Sequence, residues 1–279
     1  MKYRIILFST FLICIFIISL IFNGYYTPCK TIPPYQLSTA NKDTLQIVFI
    51  GDSWAFFHEP RDIEASEMLS DILKHPVIFR SFGICGLTSK EIYEQLFYND
   101  SLKHFLQKGC HYCVISAGIN DTYKKMSKDY YVKSMEAIIN FFLYNNVTPL
   151  LIEIPDYDIE KCYQRQTLTR KVLRQFSMLV NNTPIDCKQI FREALDSILS
   201  DYYKEKVVIL NYKVWNNHYA EDLDHFYQKD GLHLNAVGYS ALDRQIGFCL
   251  LKQINSFNSK DNKNEFKKEK NSNVFPYLK

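Results

Sequence analysis

A serine hydroxyl becomes a nucleophile when an imidazole takes its proton and a carboxylate fixes that imidazole. The chain offers all three groups beside short apolar runs. Gly51-Asp52-Ser53 follows the run LQIVFI of residues 45–50. A serine at a tight strand-to-helix turn exposes its hydroxyl at the sheet edge, and the turn's N–H groups point at whatever it attacks. The tripeptide by itself also fits an ordinary turn. Asp230-Gly231-Leu232-His233 puts a carboxylate three residues before a histidine. That spacing can hold one ring nitrogen and leave the other free to accept a proton. His233 alone also fits a structural histidine or half of a metal site. No H-x-x-x-H and no clustered carboxylates accompany it, so no metal is expected.

Two further positions could stabilise the oxyanion that such an attack creates. Gly86, just before a helix start, lets its backbone approach a ligand closely and offer its N–H. Asn120, in Gly118-Ile119-Asn120-Asp121, carries a neutral amide donor. Each also fits a turn or a cap. Asp121 reads as a support for its loop. Trp54 and Trp215 could stack on a sugar, and packing serves them equally well. His58, near Ser53, reads as a surface or supporting residue.

These groups need elements to position them. Residues 45–50, 77–79, 112–115, 148–154 and 207–210 are short apolar, β-branched runs, read as buried strands. Amphipathic stretches alternate with them. Thr88-Ser89-Lys90-Glu91 is a capping box. Ser127 is an N-cap candidate for a helix with Tyr131, Met135, Ile138, Ile139 and Phe142 on one face. A last helix starts after Asn235 and runs through Leu242, Ile246 and Leu250. The alternation predicts an α/β fold with a parallel sheet covered on both faces. Ligands bind such sheets beyond the carboxyl ends of the strands, where Ser53, Gly86 and Asn120 fall.

Taken in order, Gly51-Asp52-Ser53, Gly86, Gly118-Ile119-Asn120-Asp121 and Asp230 with His233 resemble the four blocks of the SGNH/GDSL hydrolase family. The stretch D-G-L-H-L-N-A-V-G-Y of residues 230–239 is especially similar to the family's last block. The resemblance spans residues 45 to about 250. It implies a three-layer α/β/α sandwich around a mostly parallel five-stranded sheet, the flavodoxin-like SGNH fold. It implies Ser53 as nucleophile, His233 as base, Asp230 as its orienting carboxylate, and Ser53 N–H, Gly86 N–H and Asn120 as the oxyanion hole. Gly51, Asp52, Gly118 and Asp121 would support them. No cofactor is implied. The chain departs from the motif at Trp54, where the family has Leu, and in the bulky Ala55-Phe56-Phe57. Those changes bear on the substrate pocket.

The activity implied is ester hydrolysis through an acyl-enzyme. An O-acetyl group on a carbohydrate or small molecule is the favoured substrate, partly because no long lipid-binding insertion is evident. An O-acyltransferase acting on a surface polysaccharide, a lipase or thioesterase, and a catalytically silent binding module stay open.

The rest of the chain sets the context. Among 279 residues, 47% are hydrophobic, 15% aromatic and 23% charged, which is a globular balance. A net charge of +3 is too small to suggest a nucleic-acid partner. Residues 5–22 form an uncharged apolar run after Lys2 and Arg4, long enough to span a bilayer. Residues 1–29 therefore read as an anchor, N-terminus cytoplasmic and the remainder extracytoplasmic, or else as a cleaved signal. Residues 30–44 read as a linker, 45–255 as the hydrolase domain, and 256–279 as a polar, disordered tail. Of eight cysteines, Cys110 and Cys113 form a lone C-x-x-C without zinc-site spacing. Cys162 and Cys187 could bridge in an oxidising compartment.

Overall fold

The computed structural model describes residues 2–25, 27–199, 202–203, 205–216 and 218–272. In chain order the elements are α1 (Lys2–Tyr25), β1 (Leu45–Gly51), α2 (Ser53–His58), α3 (Asp62–Leu73), β2 (Val77–Gly83), α4 (Ser89–Tyr98) and α5 (Asp100–Leu106). There follow β3 (Tyr112–Ser116), α6 (Ile119–Lys124), α7 (Lys128–Tyr144), β4 (Thr148–Ile152), α8 (Ile159–Gln164) and α9 (Leu168–Asn181). The chain continues through α10 (Lys188–Leu199), β5 (Val208–Leu210), α11 (Tyr219–Phe226) and α12 (Ala236–Ser272).

The strands form one parallel sheet in the order β2-β1-β3-β4-β5. Every expected strand is present. Their near-continuous apolar sequences reflect burial on both faces: Ile47, Val48, Phe49, Val114, Ile115, Leu150 and Leu151 are all inaccessible to solvent. Helices α3 and α12 pack together on one side, and α4, α7 and α10 on the other. The apolar face expected on α7 is buried, from Tyr131 through Phe142. Thr88 and Glu91 make the reciprocal capping box that opens α4, and Ser127 accepts from Tyr130 N–H to open α7.

Strand order reverses between β1 and β3, whose ends Gly51 and Ser116 lie in register. Such a switch point opens a crevice at the carboxyl ends. The two segments that carry Ser53 and Asn120 leave the sheet there.

Two further segments border the domain. Residues 30–44, read as a linker, contain no helix or strand and are hydrogen-bonded to the domain. Ile32 N–H donates to Tyr93 Oη at 2.8 Å, Tyr35 Oη to the Leu96 carbonyl at 2.8 Å, and Leu37 N–H to Asn145 Oδ1 at 2.7 Å. The Tyr35 ring meets Phe97 and Phe141 edge-on. Aromatic and amide partners from α4 and α7 turn this segment into a strap. At the other end, the backbone of α12 runs helically through Ser272, into the stretch read as disordered. No Gly or Pro interrupts residues 248–272 to stop it. Residues 273–279 of that reading lie outside the described residues.

Helix α1 has 24 residues, about 36 Å at 1.5 Å per residue. Its window Lys2–Ser19 has a mean hydropathy of 1.9 and packs against nothing. It is long and apolar enough to cross a bilayer, a test that a signal sequence also passes.

Candidate active site

The site begins with the geometry of the β1–α2 turn. Gly51 has φ +152°, and a Cβ there would stand 2.2 Å from the Ser116 carbonyl oxygen. Only glycine permits this close approach of two strand ends. Asp52 then caps α2, its Oδ1 accepting from Trp54 N–H at 3.0 Å. Ser53 is the first residue of the helix and is 8% exposed, so its hydroxyl stands at the edge of the sheet.

The histidine arrives from the opposite end of the chain. Ser53 Oγ lies 2.9 Å from His233 Nε2, and His233 Nδ1 lies 2.6 Å from Asp230 Oδ2. A carboxylate accepts only, so Nδ1 carries the proton and Nε2 is left to accept from the serine. The other Asp230 oxygen accepts from Leu232 N–H at 2.9 Å and His233 N–H at 3.0 Å. Burial pushes the Asp230 carboxyl up, but the His233 hydrogen bond and these two N–H groups outweigh it and hold the group below the usual carboxylate range. The carboxylate therefore stays ionised opposite the imidazole. The turn is closed by Gln228 N–H donating to the His233 carbonyl at 2.7 Å.

Asp52 is fully buried and has three donors. Ser116 Oγ and Trp54 N–H reach Oδ1 at 3.0 Å each, and Asn120 Nδ2 reaches Oδ2 at 3.4 Å. Burial raises its carboxyl to about 6 against the pull of these donors. The amide nitrogen of Asn120 has two hydrogens, so one can rest on Asp52 while the other serves a substrate oxygen. Gly86 adopts φ +80°, and nothing stands within 4 Å of where its Cβ would be. Its loop is tied to the nucleophile turn by Ile84 N–H donating to the Gly51 carbonyl at 3.1 Å. Asp121 lies buried beneath: it accepts from Ser89 N–H at 2.8 Å and Ser89 Oγ at 2.5 Å. Burial, only partly countered by Ser89, raises it to about 7. It ties the Asn120 helix α6 to the start of α4, consistent with a supporting role. Gly118, at φ +110°, starts α6.

Two readings that the sequence leaves open take a definite form here. Trp54 is completely buried, with its indole N–H 3.3 Å from the Leu232 carbonyl, and its ring packs edge-on against Trp215 at 5.6 Å. Trp215 itself is only 7% exposed. Neither ring presents a face on which a sugar could stack; the pair fills the core behind the nucleophile and the His233 loop. The aromatic surface at the site comes instead from Phe57, 38% exposed, whose ring meets His233 edge-on at 4.9 Å. Cys162 and Cys187 are separate buried thiols. No group of His, Cys, Asp and Glu able to hold a metal occurs among the described residues.

Sequence spacing gave no sign of His58's role. It is fully buried at the end of α2, with Nε2 2.7 Å from Asp243 Oδ1. Its Nδ1 lies 2.8 Å from Ser81 Oγ and 3.4 Å from Asp62 Oδ1. Ser81 spends its own proton on Asp62 at 2.6 Å. Both ring nitrogens therefore donate, which makes His58 an imidazolium. Burial alone would depress its pKa, but hydrogen bonds to Asp243 and Asp62 raise it above the ordinary histidine value.

No protein-family model matches the chain, and no curated protein matches it. Solved structures do. TesA is 14% identical over 75% of this chain and 99% of its own, with a TM-score of 0.52. Axe2, an acetylxylan esterase from Geobacillus stearothermophilus, is 15% identical over 79% of this chain and 96% of its own, with a TM-score of 0.50. A GDSL-like lipase from Bacteroides thetaiotaomicron is 17% identical over 74% of this chain and 88% of its own, with a TM-score of 0.45. With its parallel sheet in the order β2-β1-β3-β4-β5 and helices on both faces, the chain has the fold of the SGNH hydrolases.

Proposed function

We propose that the chain is a serine ester hydrolase that removes an acyl group, by preference O-acetyl, from a carbohydrate or other small alcohol. The observation that carries this reading is the continuous line from Asp230 Oδ2 through His233 to Ser53 Oγ, with distances of 2.6 and 2.9 Å. In this reading His233 Nε2 takes the hydroxyl proton as Ser53 Oγ attacks the ester carbonyl. Asp230 steadies the imidazolium. Ser53 N–H, Gly86 N–H and Asn120 Nδ2 receive the oxyanion. Collapse expels the alcohol, which takes the proton from His233, and leaves acyl-Ser53. Water, activated by the same imidazole, then releases the acid. The acetyl preference is supported by the bulky, exposed Phe57 beside His233, with Phe56 packed edge-on against it, and by the fold shared with an acetylxylan esterase. With α1 as an anchor and Lys2 and Arg4 before its apolar run, the hydrolase domain lies outside the cytoplasmic face.

Labelling with a fluorophosphonate ester tests the reading. Intact mass should rise by one adduct that maps to Ser53 and is absent in Ser53→Ala, and acetyl-ester turnover should fall by about 10⁴-fold or more in the same variant. Wild-type turnover in folded Ser53→Ala would refute it. Product formed only when a sugar acceptor is supplied would redirect it to acyl transfer.

A further inference from the structure

Helix α9 is amphipathic the wrong way round. Its inner side buries Arg174, whose guanidinium lies over the Tyr123 ring at 3.8 Å, and Ser177. Its outer side shows Leu168 (78% exposed), Val172 (57%), Leu173 (55%), Leu179 (80%) and Val180 (41%). These five fall within about 140° of the helix circumference. Contiguous apolar patches of this kind mark contact sites in soluble folds.

Charge says what kind of contact. From residue 161 to residue 185 there are five cations, Lys161, Arg165, Arg170, Lys171 and Arg174, and no carboxylate. On α9 itself Arg170 and Lys171 flank the apolar face while Arg174 points inward, and an apolar face flanked by cations and free of carboxylates is the pattern of a helix that lies in the headgroup region of an anionic bilayer. Position agrees. Asn181 Nδ2 at the end of α9 donates to the Lys125 carbonyl, just before α7, and Cys29 Sγ, just after α1, donates to the Lys133 carbonyl on α7. Those carbonyls are eight residues apart in the chain, Lys125 in the turn before α7 and Lys133 near the start of that helix. The segment that follows α1 and the end of α9 therefore both meet the stretch of chain around the start of α7.

We propose that the exposed face of α9 docks on the surface of an anionic bilayer and holds the active site in a fixed pose toward it. This rests on α1 being a membrane anchor. Arg165, three residues before α9, donates to the Asp230 carbonyl at 3.1 Å, so the docked helix is tied directly to the His233 loop. The substrate ester is then one displayed at or near the membrane surface.

The test uses the full chain in vesicles of 3:1 phosphatidylcholine and phosphatidylglycerol with brominated acyl chains. Tryptophan is introduced on the face (Leu173→Trp, Leu179→Trp) and, for reference, on the far side at the exposed Ile63 (Ile63→Trp). The native Trp54 and Trp215 are buried and supply a constant background. Emission from positions 173 and 179 should shift to the blue and be quenched by brominated lipid, and emission from position 63 should not. Replacing Arg170 and Lys171 together by Glu should weaken the quenching at 179. Equal, unquenched emission at 63 and 179 would overturn the docking surface. So would a detergent-solubilised dimer that Leu179→Glu dissociates, because a second copy would then cover the face. Release of the chain by a carbonate wash would sink the anchor reading separately, while the quenching recorded before the wash still decides α9.

Discussion

At the scale of single residues, the site depends on a buried acid that takes no part in bond making. Asp52 joins the start of the nucleophile helix, the end of β3 and the Asn120 amide. Asn120→Ala should leave the circular dichroism unchanged and lower kcat by about 10²- to 10³-fold, as loss of one oxyanion donor does. Asp52→Asn separates two duties. The new amide oxygen can keep Trp54 N–H and Ser116 Oγ, but its nitrogen faces Asn120 and cannot accept from it, so kcat should fall while the fold persists. The substitution also has a pH signature. Native Asp52 holds its proton up to about 6, above the 3.8 of an unfolded chain. The folded state is then favoured at low pH, and stability drains away as pH rises from about 4 to about 6, by on the order of 2–3 kcal/mol. Across that range, thermal stability in detergent should fall more steeply with pH in the wild type than in Asp52→Asn, which keeps the contribution of Asp121.

At the scale of elements, His58 decides how α2 is held. It joins the end of α2 to α3 and β2 through Asp62 and Ser81, and to α12 through Asp243. Among the described residues, Asp243 Oδ2 has no partner and His58 is the only cation bonded to that buried carboxylate, through Oδ1. His58→Leu should cost about 3–5 kcal/mol, the price of stranding a buried charge. Because the folded pKa of His58 is raised, its contribution is complete below 6.5 and is lost as pH climbs through the folded value. The wild-type melting temperature should therefore decline on the alkaline side and that of His58→Leu should not. This network shows where sequence legibility ends. Strands, the Thr88 capping box and the Asp230–His233 pair are readable because their signals lie within a few residues of one another. His58 meets partners 4, 23 and 185 positions away, and no local spacing announces that. The same holds for Trp54: a large ring next to a candidate nucleophile is equally consistent with a substrate platform and a core plug, and only the Trp215 contact separates them. The strap was hidden for another reason. Pro33-Pro34 and scattered polar residues look like a spacer until Tyr93, Asn145 and the α4–α7 groove supply partners.

At the scale of the whole molecule, charge and hydropathy averages concealed the most unusual surface. Helix α9 is unremarkable in composition; its orientation, polar side inward, is a property of the packed domain. If α9 docks as proposed, the molecule has a membrane-facing side. If α1 is retained, the chain should stay in the membrane fraction after alkaline carbonate and high salt, and a C-terminal reporter should report the extracytoplasmic side. Recovery of a shorter soluble chain beginning near Tyr25 would instead establish cleavage.

Ser53 and His233 are 180 residues apart in the chain, while His233 and Asp230 are separated by three. At typical elongation rates the ribosome needs roughly 10–35 s to travel from one to the other. For that interval the nascent chain would carry Ser53 without the imidazole proposed to activate it. In the proposed mechanism the serine can be activated only once the C-terminal segment has closed over β1, so catalysis would wait for the complete domain.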